Sequence, residues 1–206
     1  SNPLYSYSNN NYSGKTQIYD LNSSTQKYEK VKEWVGSRSN YVCQGVSIDS
    51  AGNIVAFISQ KNHIEGGVSV FEFDGTNWNS KGTIIRTGIQ GFVFSDFLKL
   101  NDTGDKIIVT ELTKSKLEQY RGSCFIYEFS SESGNWVQKG NRIFGPHRKS
   151  YFGKYNLEIN SSANIVMIGS FHTLNKKGSV YIYNYSSYSN KWNLLHRSEE
   201  HTSELQ

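Results

Sequence analysis

Four kinds of apolar run recur along the chain in a fixed order. The first is short and alternates with polar residues, as in GVSID (45–49), FLKLN (97–101) and YNLEIN (155–160). Alternation of period two marks a strand with one covered face. A turn rich in Asp, Asn and Gly follows each: DSAGN, NDTGD and NSSAN. The second run is almost continuously apolar: IVAFI, KIIVT and IVMIG. After a variable loop comes the third, GVSVFEF, GSCFIYEF or GSVYIYNY, and after a Ser/Gly/Asn turn the fourth, which opens at a tryptophan in WNSKGTII and WVQKGNRIF. No segment carries a 3.6-residue period, so no helix is predicted.

These runs are an internal repeat. Aligned on Gly14, Gly66, Gly122 and Gly178, the copies are spaced by 52, 56 and 56 residues. Tyr19, Phe71, Tyr127 and Tyr183 fall in register, as do Asp20, Glu72, Glu128 and Asn184, and further on Tyr28, Trp78, Trp136 and Trp192. The second and third runs are apolar on both alternating faces, so each sheet must be covered on both sides. A four-stranded unit of this length with a neighbour on each face describes a propeller blade. The chain is therefore expected to be all-β, a partial β-propeller of four-stranded antiparallel blades with about 52–56 residues per repeat.

The repeat resembles FG-GAP-like propeller repeats over residues 14–196. The resemblance rests on Phe152-Gly153, the GSVYIYNY run and Trp192. The chain departs from that pattern where ISQ, TEL and GSF replace the family's Gly-Ala-Pro. Kelch repeats are the runner-up, because YIYNYSSYSNKW is similar to their Tyr-to-Trp stretch. The FG-GAP resemblance implies an extracellular or cell-surface setting. It also raises calcium, since calcium-binding members carry an acidic run in the first turn. Here only Asp102 and Asp105 approach that run, and Ca²⁺ requires six or more oxygens, so the turn reads as a hairpin and no cofactor is expected.

The ends of the repeat shape the domain expectation. The pattern runs to about His196, within a fourth segment, and residues 197–206, RSEEHTSELQ, match nothing in the other copies. That stretch resembles the in-frame translation of a common sequencing adapter. Residues 1–196 are thus expected to form an incomplete propeller, and 197–206 a non-native tail. At the N-terminus PLYSY stands where a second strand belongs. The reading is one partial blade, two whole ones and a final half completed only if GSVYIY and WNLLH join the third turn of the ring. Blades missing from this stretch are the expected intramolecular partners, since propellers have roughly 4 to 8.

Composition adds less. Aromatic residues make up 14% of the 206 residues and charged residues 19%, with a net charge of +4, which suits a β-rich chain. No apolar run is long enough for a membrane helix. The two cysteines, Cys43 and Cys124, read as free thiols, Cys124 within an apolar strand. No histidine spacing suggests zinc, and there is no phosphate loop or nucleophile motif.

Two constellations carry the functional expectations. Lys99 and Glu158 fall at equivalent positions of adjacent first strands, which line the channel of a propeller; an inter-blade ion pair is the plainer reading. The loops joining strands two and three, and leading from strand four to the next blade, emerge on one face. They hold Arg38, Lys61, Arg86, Lys114, Lys116, Arg121, Arg148, Lys149, Lys176 and Lys177, against Glu65, Glu111 and Glu118. A basic face of this kind attracts anionic partners. The leading expectation is a non-catalytic module that binds a protein or an anionic glycan. The basic loops lack interleaved aromatics, which argues against nucleic acid. The alternatives are a propeller enzyme acting on glycans, or a structural spacer in a repetitive surface protein.

Overall fold

The computed structural model describes the chain except residues 1–5, 8–10, 13, 37–39, 62–64, 87–91, 114–119, 172–177 and 199–206. A short ribbon comes first, β1 (Ser6–Tyr7) with β2 (Asn11–Tyr12). The partial blade follows as a hairpin of β3 (Lys15–Asn22) and β4 (Lys27–Val35). The second blade is β5 (Asn40–Ile48), β6 (Ile54–Lys61), β7 (Glu65–Phe73) and β8 (Trp78–Ser80), paired in sequence order. The third is β9 (Phe92–Leu100), β10 (Lys106–Thr113), β11 (Ser123–Ser130) and β12 (Asn135–Gln138), with β13 (Ile143–Phe144) also on β11. The fourth is β14 (Leu157–Ile159), β15 (Ile165–Ser170), β16 (Ser179–Ser186) and β17 (Lys191–Arg197). All pairings are antiparallel, and the architecture is a partial β-propeller.

Three expectations change. Ser6–Tyr7 pairs with Asn11–Tyr12 rather than entering the first blade as a second strand. The last unit is a complete four-stranded sheet, because GSVYIY does pair with β15 and WNLLH pairs in turn with GSVYIY. Its outer strand includes Arg197, paired with Tyr181, so the regular pattern ends one residue later than the repeat suggested.

The cores lie between blades, as strands apolar on both faces require. Ile54, Ala56, Ile58 and Val70 of the second blade meet Leu98, Ile107, Val109 and Phe125 of the third. The opposite face of the third blade, with Ile108, Cys124 and Ile126, meets Phe152, Val166, Ile168 and Trp192. Cys124 is a free, buried thiol, and that burial raises its pKa well above the ordinary value.

A repeated latch joins the outer strands. In the second and third blades the outer strand breaks at Lys81-Gly82 and Lys139-Gly140 before rejoining the third strand at Ile85 and β13. Both glycines have left-handed φ, +76° and +74°. The next blade's tryptophan fills each break: Trp136 Nε1 donates to the Lys81 carbonyl at 2.8 Å, and Trp192 Nε1 to the Lys139 carbonyl at 2.9 Å. A Cβ at Gly140 would lie 2.8 Å from Trp192 Cδ1, so only glycine lets the indole approach. The lysines are pinned too. Lys81 pairs with Glu72 at 3.0 Å and lies over Phe129 of the next blade; Lys139 pairs with Glu128 at 2.9 Å and lies over Tyr185.

At the opposite edge of the blades, the hairpin turns also interlock. Asp49, Asn101 and Asn160 each accept backbone N–H groups of their own turn. Ser50 donates to the Asp102 carbonyl, and Asn101 Nδ2 to that of Ser161, so each turn is tied to the next.

The latch predicts an asymmetry between two glycines. Gly134 has φ +63° with nothing near its missing Cβ, so Gly134→Ala carries only the left-handed penalty, about 1 kcal/mol. Gly140→Ala adds displacement of the Trp192 indole and its hydrogen bond, for a total of about 2–3 kcal/mol. Denaturant unfolding of both variants measures the difference.

Candidate functional site

The innermost strands of neighbouring blades lie side by side, β5 by β9 and β9 by β14. Lys99 on β9 and Glu158 on β14 form an ion pair at 3.5 Å, with half-exposed side chains. Sequence register places both residues correctly, and the structure brings them together. Two residues along β9, the Phe97 ring meets Tyr155 at 6.5 Å, edge-on, and Tyr155 meets Phe171 at 5.4 Å.

From Tyr155 an arc of rings and one cation continues. Lys154 Nζ sits between two tyrosines, 4.9 Å from the ring centre of Tyr155 and 5.0 Å from that of Tyr151. Tyr151 stacks on Tyr120, centres 5.4 Å apart and planes 15° from parallel. Tyr120, Lys149 and Tyr151 all adopt left-handed φ, near +60°, +60° and +49°. Non-glycine residues hold this strained conformation only where their surroundings impose it. Here Tyr151 N–H donates to the Tyr120 carbonyl at 3.0 Å, and Phe152 N–H to that of Arg121 at 3.2 Å. The fully buried Phe152 anchors the loop, its ring edge-on to Tyr181. Gly153 follows because a Cβ there would lie 2.4 Å from Thr110 Cγ2. Sequence reasoning missed this arc; the only sequence trace is the spacing of Tyr151, Lys154 and Tyr155 in YFGKY.

The basic loop residues divide. Arg86, Arg148 and Lys149 are exposed. Arg121 turns inward: its Nε donates to the Gly145 carbonyl at 2.6 Å, and its guanidinium lies 5.3 Å from the Phe144 ring centre. Lys61 ends β6 with its side chain outside the described residues, where Arg38, Lys114, Lys116, Lys176 and Lys177 also fall. Glu111 is no loop charge. It lies within β10, 1% exposed, and pairs with Arg142 at 3.2 Å. The Arg142 guanidinium is itself held between the rings of Phe125 and Phe144. Burial, with the Glu111 charge adding to it, pushes the Tyr127 hydroxyl up to about 12.

The Asp102 and Asp105 carboxylates are committed to protein partners. Asp102 accepts from Ser161 Oγ of the next turn. Asp105 accepts from Lys106, Thr103 and Asn101. Burial alone would raise Asp105; those hydrogen bonds outweigh it and bring the carboxyl down to about 2. Among the described residues no cluster of three or more metal-ligating side chains occurs.

No protein-family model matches the chain, and no curated protein matches it in sequence. Its fold is similar to several crystal structures. A protein from Lactobacillus plantarum has a TM-score of 0.58 at 11% identity, matched over 90% of this chain and 49% of its own. A Bacteroides uniformis protein provisionally named a 6-phosphogluconolactonase has a TM-score of 0.56 at 12% identity, over 88% and 47%. The periplasmic gluconolactonase of Pseudomonas aeruginosa has a TM-score of 0.54 at 12% identity, over 89% and 47%. The chain thus spans about half the length of these propeller-like structures. Two of these three are named as lactonases, which are enzymes, and that overturns the expectation of a non-catalytic binding module.

The Asp105 shift sets a pH dependence. A carboxyl with a depressed folded pKa stabilises the fold fully above its unfolded value and loses that contribution as pH falls through the folded one. Stability is therefore expected to drop between about pH 4 and pH 2. Asp105→Asn makes that drop shallower in melting temperatures recorded across the interval; an unchanged slope contradicts the assignment.

Proposed function

We propose that this chain belongs to a propeller enzyme that opens a sugar lactone, with the reaction at the Lys99–Glu158 pair. The pair itself carries the reading: a carboxylate beside an ammonium, 3.5 Å apart on the innermost strands and next to exposed rings. Glycoside cleavage calls for two carboxylates flanking the bond. Lactone opening calls for one base and one cationic partner for the oxygen that gains charge. The names of the structural neighbours support the second chemistry.

In this scheme the Glu158 carboxylate takes a proton from water as the water oxygen adds to the lactone carbonyl carbon. The Lys99 ammonium stabilises the oxyanion. As the carbonyl re-forms, the ring C–O bond breaks, and the departing oxygen takes the proton back from Glu158 to give a hydroxy acid. Tyr155, Phe97 and Phe171 offer ring faces to the sugar. The exposed Arg86, Arg148 and Lys149 attract the carboxylate that ring opening produces. We further assign the blades to the FG-GAP-like pattern, a reading supported by the buried Phe152 and the cramped Gly153.

The test is hydrolysis of glucono-δ-lactone by the purified protein, followed by pH-stat against spontaneous opening. Glu158→Gln and Lys99→Met are each expected to lower kcat on the order of 100-fold. Stability should change by less than about 1 kcal/mol, since the pair is exposed. No acceleration by the wild-type protein, or a full rate in Glu158→Gln, overturns the proposal.

A further inference from the structure

The latch is present at two blade contacts and absent at the first. Trp78 holds the place of Trp136 and Trp192 in the repeat, yet the blade before it offers no socket. Three and four residues after Tyr28 stand Val31 and Lys32, where the next two blades have Lys81-Gly82 and Lys139-Gly140. A Cβ at the glycine position lies 2.8–3.0 Å from the docked indole at the other two contacts, so a side chain there blocks the approach. Trp78 instead lies edge-on to Trp34, centres 6.0 Å apart. Its Nε1–H has no hydrogen-bond partner among the described residues, whereas Trp136 and Trp192 both donate to a lysine carbonyl.

Because the contact does not close, a cleft of about 570 Å³ opens between the β3–β4 hairpin and the second blade. That volume is within the range of ligand sites, about 300–1,000 Å³. Its walls carry the rings of Tyr19, Phe73 and Trp78. The side-chain amides of Asn53 and Asn77 also line it, with no hydrogen bond of their own among the described residues. One cation, Lys32, and one anion, Asp20, balance each other there.

We propose that this cleft binds a neutral oligosaccharide. Ring faces suit the C–H faces of pyranose units, as apolar walls with a few placed polar groups suit small ligands generally. The Trp78 N–H and the two amides are unengaged donors and acceptors matched to hydroxyl groups. The balanced charge favours a neutral ligand over an anionic one. The site is separate from Lys99 and Glu158 and does not depend on the lactonase reading.

Isothermal titration of the protein with cellobiose, maltose and chitobiose tests this, with the capped dipeptide acetyl-Lys-Gly-amide as the competing chemistry. At least one disaccharide is expected to bind saturably, and Trp78→Phe to weaken it tenfold or more. The double variant Val31→Lys/Lys32→Gly rebuilds the socket, so it should close the cleft, abolish sugar binding and raise the melting temperature. Absence of binding by all three sugars overturns the proposal, as does undiminished binding in the double variant. Binding of the dipeptide in place of the sugars overturns it as well, making the cleft a peptide socket.

Discussion

The hydrogen bond from a tryptophan indole to a lysine carbonyl of the preceding blade sets the spacing of this structure. One such bond contributes about 1 kcal/mol net, which is small against the apolar surface between blades. Its importance is geometric. The indole must reach main chain, so the outer strand must break, and the break must carry a residue with no side chain in the left-handed region. Gly82 and Gly140 meet that condition, and the lysine before each is held by a glutamate of its own blade and a ring of the next. A sheet apolar on both faces can pack against neighbours at several offsets; the latch selects one.

That selection reaches the inner strands. With the outer strands latched and the hairpin turns tied by Ser50–Asp102 and Asn101–Ser161, β9 and β14 run side by side. Lys99 then meets Glu158 without either residue being buried. The rim is built on a different principle. Its loop is irregular, with its place fixed by the buried Phe152 and by main-chain bonds that hold Tyr120 and Tyr151 in strained conformations. Rigid positions for exposed rings and charges come from that strain together with the anchor beneath it.

The sequence made the blades legible because each strand has a simple period and each turn a short polar signature. Spacing alone revealed Trp136 and Trp192, but not what they touch, since a backbone carbonyl has no residue type; the glycine after it was the only trace. Register paired Lys99 with Glu158. Glu111 was misplaced because β10 runs on to Thr113, beyond the apolar run that marks it, and the arginine covering the carboxylate stands 31 residues away. Tyr120, Tyr151 and Lys154 were invisible because a loop with left-handed residues has no period to read. The last blade was read as a half because units counted from Gly122 and Gly178 divide it, leaving YNLEIN and IVMIG in one unit and GSVYIYNY and WNLLH in the next.

The most direct test of the latch is hydrogen exchange at the indole N–H groups, followed in ¹H–¹⁵N spectra with each tryptophan assigned by substitution. Trp136 and Trp192 should exchange slowly, protected by the Lys81 and Lys139 carbonyls, while Trp78 exchanges quickly. Equal rates for Trp78, Trp136 and Trp192 would contradict the account, because the blades would then be held by apolar contact alone.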